Sequence, residues 1–138
     1  MKIPRWALRM VRLVICDDSR SSLAFFEKKL TDAGYEIVGK AQDGDEGIRI
    51  FKETHPDAML LDVTMPNKDG RECLDEILKY APTAKVIMIS AVKDEGVQKE
   101  CLSSGAKAFI SKSNIFDAEA FKVEVLSTLE KVLKGLAP

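Results

Sequence analysis

Among 138 residues there is one histidine, there are three cysteines, and neither sign of charge prevails: 21 lysines and arginines stand against 22 aspartates and glutamates. Each scarcity closes off a class of function. Without a field of one sign, the chain lacks the electrostatic footprint of a nucleic-acid binder. Cys16, Cys73 and Cys101 are odd in number, never fall at CxxC spacing, and lie in or beside apolar runs. Buried reduced thiols are therefore expected, rather than a zinc site or a disulfide framework, and with them a reducing compartment. The single histidine, His55, precedes Pro56 in a turn and has no placed partner, so it receives no chemistry. Arg9 and Arg12 interrupt the opening "MKIPRWALRMVRLVIC" wherever it could serve as the core of a signal peptide. No run approaches the roughly 20 apolar residues of a membrane span. A cytoplasmic protein without a membrane partner is expected.

What the chain does contain is 46% apolar and 31% charged residues, the profile of a soluble globular protein of one-domain length. Short apolar runs recur: "VRLVIC" (11–16), "YEIVGKA" (35–41), "AMLL" (58–61), "KVIMIS" (85–90) and "KAFIS" (107–111), each followed by a stretch of helical periodicity. The first helix shows Leu23, Phe26 and Leu30 on one face and stops at Gly34; the last shows Phe121, Val125, Leu129, Val132 and Leu136. Asp43 with Glu46, and Asp69 with Glu72, have the spacing of helix N-caps. Dense apolar strands joined by helix-length connections require parallel pairing with helices on both faces. The expected fold is a doubly wound α/β domain of five strands and five helices.

In such sheets ligands bind beyond the carboxyl ends of the strands. Past the first run stand Asp17 and Asp18, past the third Asp62, past the fourth Ser90, and past the fifth Lys112. An apolar run ending on a carboxylate needs compensation, because an unpaired buried charge costs several kcal/mol. Three carboxylates at one point repel one another unless a cation sits among them, and an all-oxygen set suits a hard ion such as Mg²⁺. Taken singly these residues have plainer readings: Asp17 and Asp18 as helix caps with Ser19, Lys112 as a solvated lysine, Phe109 as core. Their phase across four strands favours the site. Gly70 and Pro66 are read as turn geometry around the loop.

The paired acids in "CDDS", the "LLDVTMPNKDG" block, the "ISA" after the fourth run and "GAKAFISK" ending on Lys112 fall in order and cover nearly the whole chain. In these motifs it resembles the receiver domain of two-component response regulators, most closely the stand-alone chemotaxis type. The resemblance implies a flavodoxin-like (βα)5 sheet of order 2-1-3-4-5, with an extension over 1–10, a receiver over 11–138 and no output domain. It implies Asp62 as phosphoacceptor, Asp18 as a direct ligand of Mg²⁺ (or Mn²⁺), Asp17 as a ligand through water, and the backbone carbonyl of Thr64 as another. Lys112 and Ser90 would contact the phosphoryl group, and Ser90 with Phe109 would form the switch. The donor would be a histidine kinase or histidine phosphotransferase. The output would be a partner protein met by the fourth helix, fifth strand and fifth helix of a monomer. The chain would catalyse only its own phosphorylation and dephosphorylation. Thr64 and Val92, at the positions lining the path of hydrolytic water, would give a long-lived phosphoryl group.

Two departures stand out. Ser113 occupies the place after the lysine where receivers usually carry a proline in a cis peptide, so a trans loop with altered lysine placement is one outcome. The opening stretch carries Lys2, Arg5, Arg9 and Arg12 with Trp6, suited either to docking or to an untethered tail. Rival readings are weaker. A dehalogenase-like phosphatase needs a second aspartate two residues after its nucleophile, where this chain has Thr64. A flavodoxin-like electron carrier needs a phosphate loop where "DDSRSS" places two negative charges. A degenerate receiver acting as a constitutive interaction module would lack one of the residues named above.

Overall fold

The computed structural model describes residues 10–134; the extension residues Lys2, Arg5, Trp6 and Arg9, and Leu136, lie outside the described residues. The elements alternate as the runs predict: β1 (Arg12–Cys16), α1 (Arg20–Asp32), β2 (Glu36–Ala41), α2 (Gly44–Thr54), β3 (Ala58–Asp62), α3 (Gly70–Tyr80), β4 (Val86–Ser90), α4 (Glu95–Ser103) and β5 (Ala108–Ser111). A 3₁₀ turn (Lys112–Asn114) then leads into α5, which is α-helical over Ala118–Phe121, π-helical over Lys122–Leu126 and α-helical again over Ser127–Leu133. All neighbouring strands are parallel, in the order β2-β1-β3-β4-β5.

Strand side chains alternate between two cores, as a period of two demands. Met59 and Leu61 of β3 face α2, α3 and α4, where Ile48, Phe51, Leu74, Ile77 and Cys101 pack. Ala58 and Leu60 face α1 and α5, against Phe26, Leu30, Val125 and Leu129. Every residue of β3 and β4 is buried, which explains their lack of polar alternation. All three cysteines are free and buried. Burial raises the Cys16 thiol well above its usual range and pushes Cys73 up to about 12, so neither is a ready nucleophile.

The helix signals hold at residue level. Asp43 accepts the Glu46 N–H at 2.8 Å, Asp69 those of Arg71 and Glu72, and Gly34 takes the left-handed conformation (φ +99°) after α1. His55 is an exposed left-handed C-cap of α2, its ring stacked on Tyr80, in keeping with a turn residue. The end of α5 differs from expectation: Leu133 is buried and Val132 only half-buried. Residues four apart drift by about 40° around an α-helix. The wider π turn takes back part of that drift and keeps Phe121, Val125, Leu129 and Leu133 on the core face.

Candidate functional site

Parallel pairing brings the carboxyl ends of β1, β3, β4 and β5 into one row, with Cys16 beside Leu61, Asp62 beside Ile89 and Ser90 beside Ser111. The residues that follow each strand therefore converge. One carboxylate oxygen from each of Asp17, Asp18 and Asp62 lies within 4.8 Å of the others. Asp17 is fully buried and Asp62 is 5% exposed, while Asp18 reaches solvent. Lys112 spans the two buried acids: its Nζ donates to Asp62 Oδ2 at 3.1 Å and lies 2.6 Å from Asp17 Oδ2.

Asp17 serves two purposes. Its Oδ1 accepts the Ser19 N–H at 2.9 Å and shapes the turn into α1, where Ser19 is the N-cap. Its Oδ2 is completely buried and has no aligned hydrogen-bond donor, because the Lys112 ammonium, though close, stands off the bond direction. One ammonium shared between two buried carboxylates leaves their charge only partly compensated, which is costly unless a further cation joins them. Three carboxylates against one ammonium leave a net charge of minus two. The excess negative charge and the all-oxygen donors together fit a hard divalent cation such as Mg²⁺.

Burial pushes the Asp62 carboxyl up to about 6; Lys112 pulls it down and Asp17 raises it further. For Lys112, burial favours the neutral amine, but Asp17 and Asp62 outweigh it and hold the pKa above the ordinary lysine value. The ammonium stays charged.

The remaining candidates are placed less uniformly. The Thr64 N–H makes a long, 3.4 Å contact to Asp62 Oδ1, and the Thr64 side chain is exposed. Ser90 is turned toward its own loop: its Oγ donates to the Val92 carbonyl at 3.0 Å and accepts the Val92 N–H at 3.1 Å. The Val92 side chain is 64% exposed. Phe109 is half-buried against the α3 and α4 side of the core, and with Lys93, Gln98, Ser111 and Glu124 it lines a groove of about 540 Å³. The Lys112–Ser113 peptide is trans, as is every described peptide bond. Ser111 Oγ accepts the Ser113 N–H at 3.4 Å to close the turn, and Lys112 still reaches both acids.

Gly70, expected as turn geometry, closes the loop around Asp62 through clearance. It is the first residue of α3, and a Cβ there would fall 2.0 Å from the Asp62 carbonyl oxygen. Glycine lets α3 start against the strand that ends in the site. The left-handed residue of this loop is Asn67 (φ +66°). The "NKDG" spacing marks a turn but does not say which residue supplies the positive φ and which the clearance.

Residues 13–126 match the model of the response regulator receiver domain. The chain belongs to this family. The chemotaxis protein CheY of Listeria monocytogenes is 38% identical over 125 residues, 91% of this chain and 100% of that one. CheY of Thermotoga maritima is 38% identical over 101 residues, 73% of this chain and 84% of its own length. Among solved structures, one of the CheX-CheY-BeF3-Mg²⁺ complex from Borrelia burgdorferi contains a chain that superposes with a TM-score of 0.82 at 33% identity, covering 94% of both chains. Both of these curated relatives are receivers of the chemotaxis type. No helix among the described residues of the receiver is long and apolar enough to cross a membrane.

Proposed function

We propose that this receiver stores a signal as a phosphoryl group on Asp62, accepted from a phosphohistidine of a histidine kinase or histidine phosphotransferase, and delivers it to a partner protein through its α4-β5-α5 surface. The observation that carries the reading is the buried pair Asp17 and Asp62, bridged by Lys112 and joined by Asp18 in one carboxylate cluster. An Asp62 oxygen attacks phosphorus in line, the bond from phosphorus to the imidazole nitrogen breaks, and the imidazole leaves with the bonding pair. Lys112, a compact charge on a flexible stem, shifts from Asp62 to the arriving phosphoryl oxygens. Asp18 directly, Asp17 through water, Asp62 and the Thr64 carbonyl would hold Mg²⁺ or Mn²⁺. When bound, the ion neutralises charge on the transferring group.

Ser90 is set to exchange its bonds to Val92 for one to a phosphoryl oxygen, which releases the β4-α4 loop. Phe109 can then turn into the space vacated behind β4, altering the surface formed by α4, β5 and α5. The unphosphorylated form is a cytoplasmic monomer, with residues 1–10 as an extension of the receiver unit. The presence of Asp17, Asp18, Asp62, Ser90 and Lys112 together supports a working receiver over a degenerate one.

Incubation with a small acyl phosphate and Mg²⁺, read by intact mass, is expected to add one phosphoryl group. A chain that stays unmodified is instead a constitutive interaction module. Asp18→Asn is expected to weaken Mg²⁺ binding about tenfold, since one charged oxygen ligand is lost; an unchanged titration curve counts against Asp18 as a direct ligand. Lys112→Ala is expected to allow some phosphorylation yet lose phosphorylation-dependent partner capture. Normal capture by that variant rejects its role in coupling.

A further inference from the structure

The loop from Val63 to Asp69 is clamped between α2 and α3. Lys68 Nζ lies 3.5 Å from Asp45 Oδ1 in the first turn of α2 and makes a closer ion pair with Glu76 on α3. Its side chain is only 22% exposed. The Lys68 main chain presses on Gly44, the first residue of α2, where a Cβ would fall 2.2 Å from the Lys68 carbonyl oxygen. Asn67, in its left-handed conformation, donates from Nδ2 to Asp43 Oδ2 at 3.3 Å, and the other oxygen of Asp43 caps α2. The end of α2 is thus a platform on which this loop rests, and Thr64 lies four residues upstream of the clamp.

We propose that Lys68 is a positioning residue for the divalent cation: by pinning the loop between α2 and α3, it holds the Thr64 backbone carbonyl where the ion needs it. The inference rests on the reading of Thr64 as a ligand given above. Electrostatics and positioning predict opposite signs. A lysine near a cation site repels the ion, so on charge alone its removal tightens Mg²⁺ binding. Loss of a positioning clamp weakens it. Lys68→Met also leaves Asp45 and Glu76 facing each other without a cation between them.

The test is an Mg²⁺ titration of the full chain followed by the amide resonances of residues 62–64, with unfolding of the metal-free protein measured alongside. Lys68→Met is expected to bind Mg²⁺ roughly 5-fold more weakly, less than the loss seen when a partner hydrogen-bonded directly to a metal ligand is removed. Lys68→Arg is expected to restore binding to within about twofold, since it keeps the charge and the reach. Gly44→Ala, which alters no charge but pushes on the Lys68 carbonyl, is expected to weaken binding to a similar degree. A purely structural role for Lys68 lowers metal-free stability and leaves Mg²⁺ affinity alone. Unchanged or tighter binding by Lys68→Met, with Asp18→Asn still weakened, overturns the inference and leaves the site reading standing. If Asp18→Asn also binds Mg²⁺ normally, both fall.

Discussion

Asp62→Asn is expected to abolish phosphoryl uptake while making the metal-free domain more stable. The amide keeps the shape of the carboxylate and can still accept from Lys112, but it cannot attack phosphorus. Its effect on stability follows from crowding of like charge. Asp62 is 5% exposed beside the fully buried Asp17, and burial, with Asp17 adding to it, raises its pKa from 3.8 to about 6 despite the pull of Lys112. A carboxyl raised on folding contributes stability that is fully present below its unfolded value of 3.8 and lost as pH rises through about 6. At neutral pH the folded chain therefore holds a charge that opposes folding. A shift of this size corresponds to roughly 3 kcal/mol, and the amide forfeits part of the attraction to Lys112, so a gain of about 1 to 2 kcal/mol is expected. Urea unfolding in chelator at pH 4.5 and pH 7 measures it: the variant should lack the decline that the wild type shows between them. Added Mg²⁺ should stabilise the wild type and act weakly on the variant. Phosphorylation retained in the variant, or a variant less stable than the wild type at pH 7, contradicts the assignment.

That opposition between stability and function is also what made the site legible in the sequence. A run such as "AMLLD" carries a charge into a position that the apolar pattern marks as buried, and Asp17, Asp18 and Lys112 stand in phase with it at the carboxyl ends of β1 and β5. Helix and strand positions were legible for a similar reason, since apolar spacing and cap chemistry agree at Asp43, Asp69 and Gly34. Parallel pairing with helices on both faces followed from pattern, whereas the strand order came from the family resemblance. What pattern could not convey was clearance and direction. Gly70 and Gly44 are required by atoms that approach them from distant segments, and no local signal records the approach. The Ser90 hydroxyl, expected to face the phosphoryl group, bonds in this state to Val92. Likewise, the π turn in α5 corrects an accumulated helical drift that apolar spacing reveals only after the buried face is known.

Val92 and Thr64 set the second large effect expected, on how long the phosphoryl group survives. Hydrolysis needs a water in line with phosphorus, opposite the Asp62 oxygen, and an amide or acid nearby can hold it there. Neither residue offers such a group: Val92 is apolar and 64% exposed, and Thr64 presents only a short hydroxyl. The main chain of Val92 is tied on both its N–H and its carbonyl to Ser90 Oγ, so a turn of Ser90 toward the phosphoryl group frees the loop that carries the valine. The released side chain adds apolar cover but no means to orient water. The phosphoryl group is therefore expected to outlast that of fast chemotaxis receivers. Val92→Glu and Thr64→Asn are each expected to shorten its life roughly tenfold, a modest share of what full orientation of a reactant can supply. Val92→Ala separates cover from orientation, because it opens the approach without adding a group to hold the water, and should change the lifetime little. Decay of phosphorylated Asp62 can be followed by intact mass after the donor is removed. Fast loss in the wild type that neither polar variant accelerates would remove water orientation as the control on lifetime, and a large effect of Val92→Ala would assign that control to cover instead.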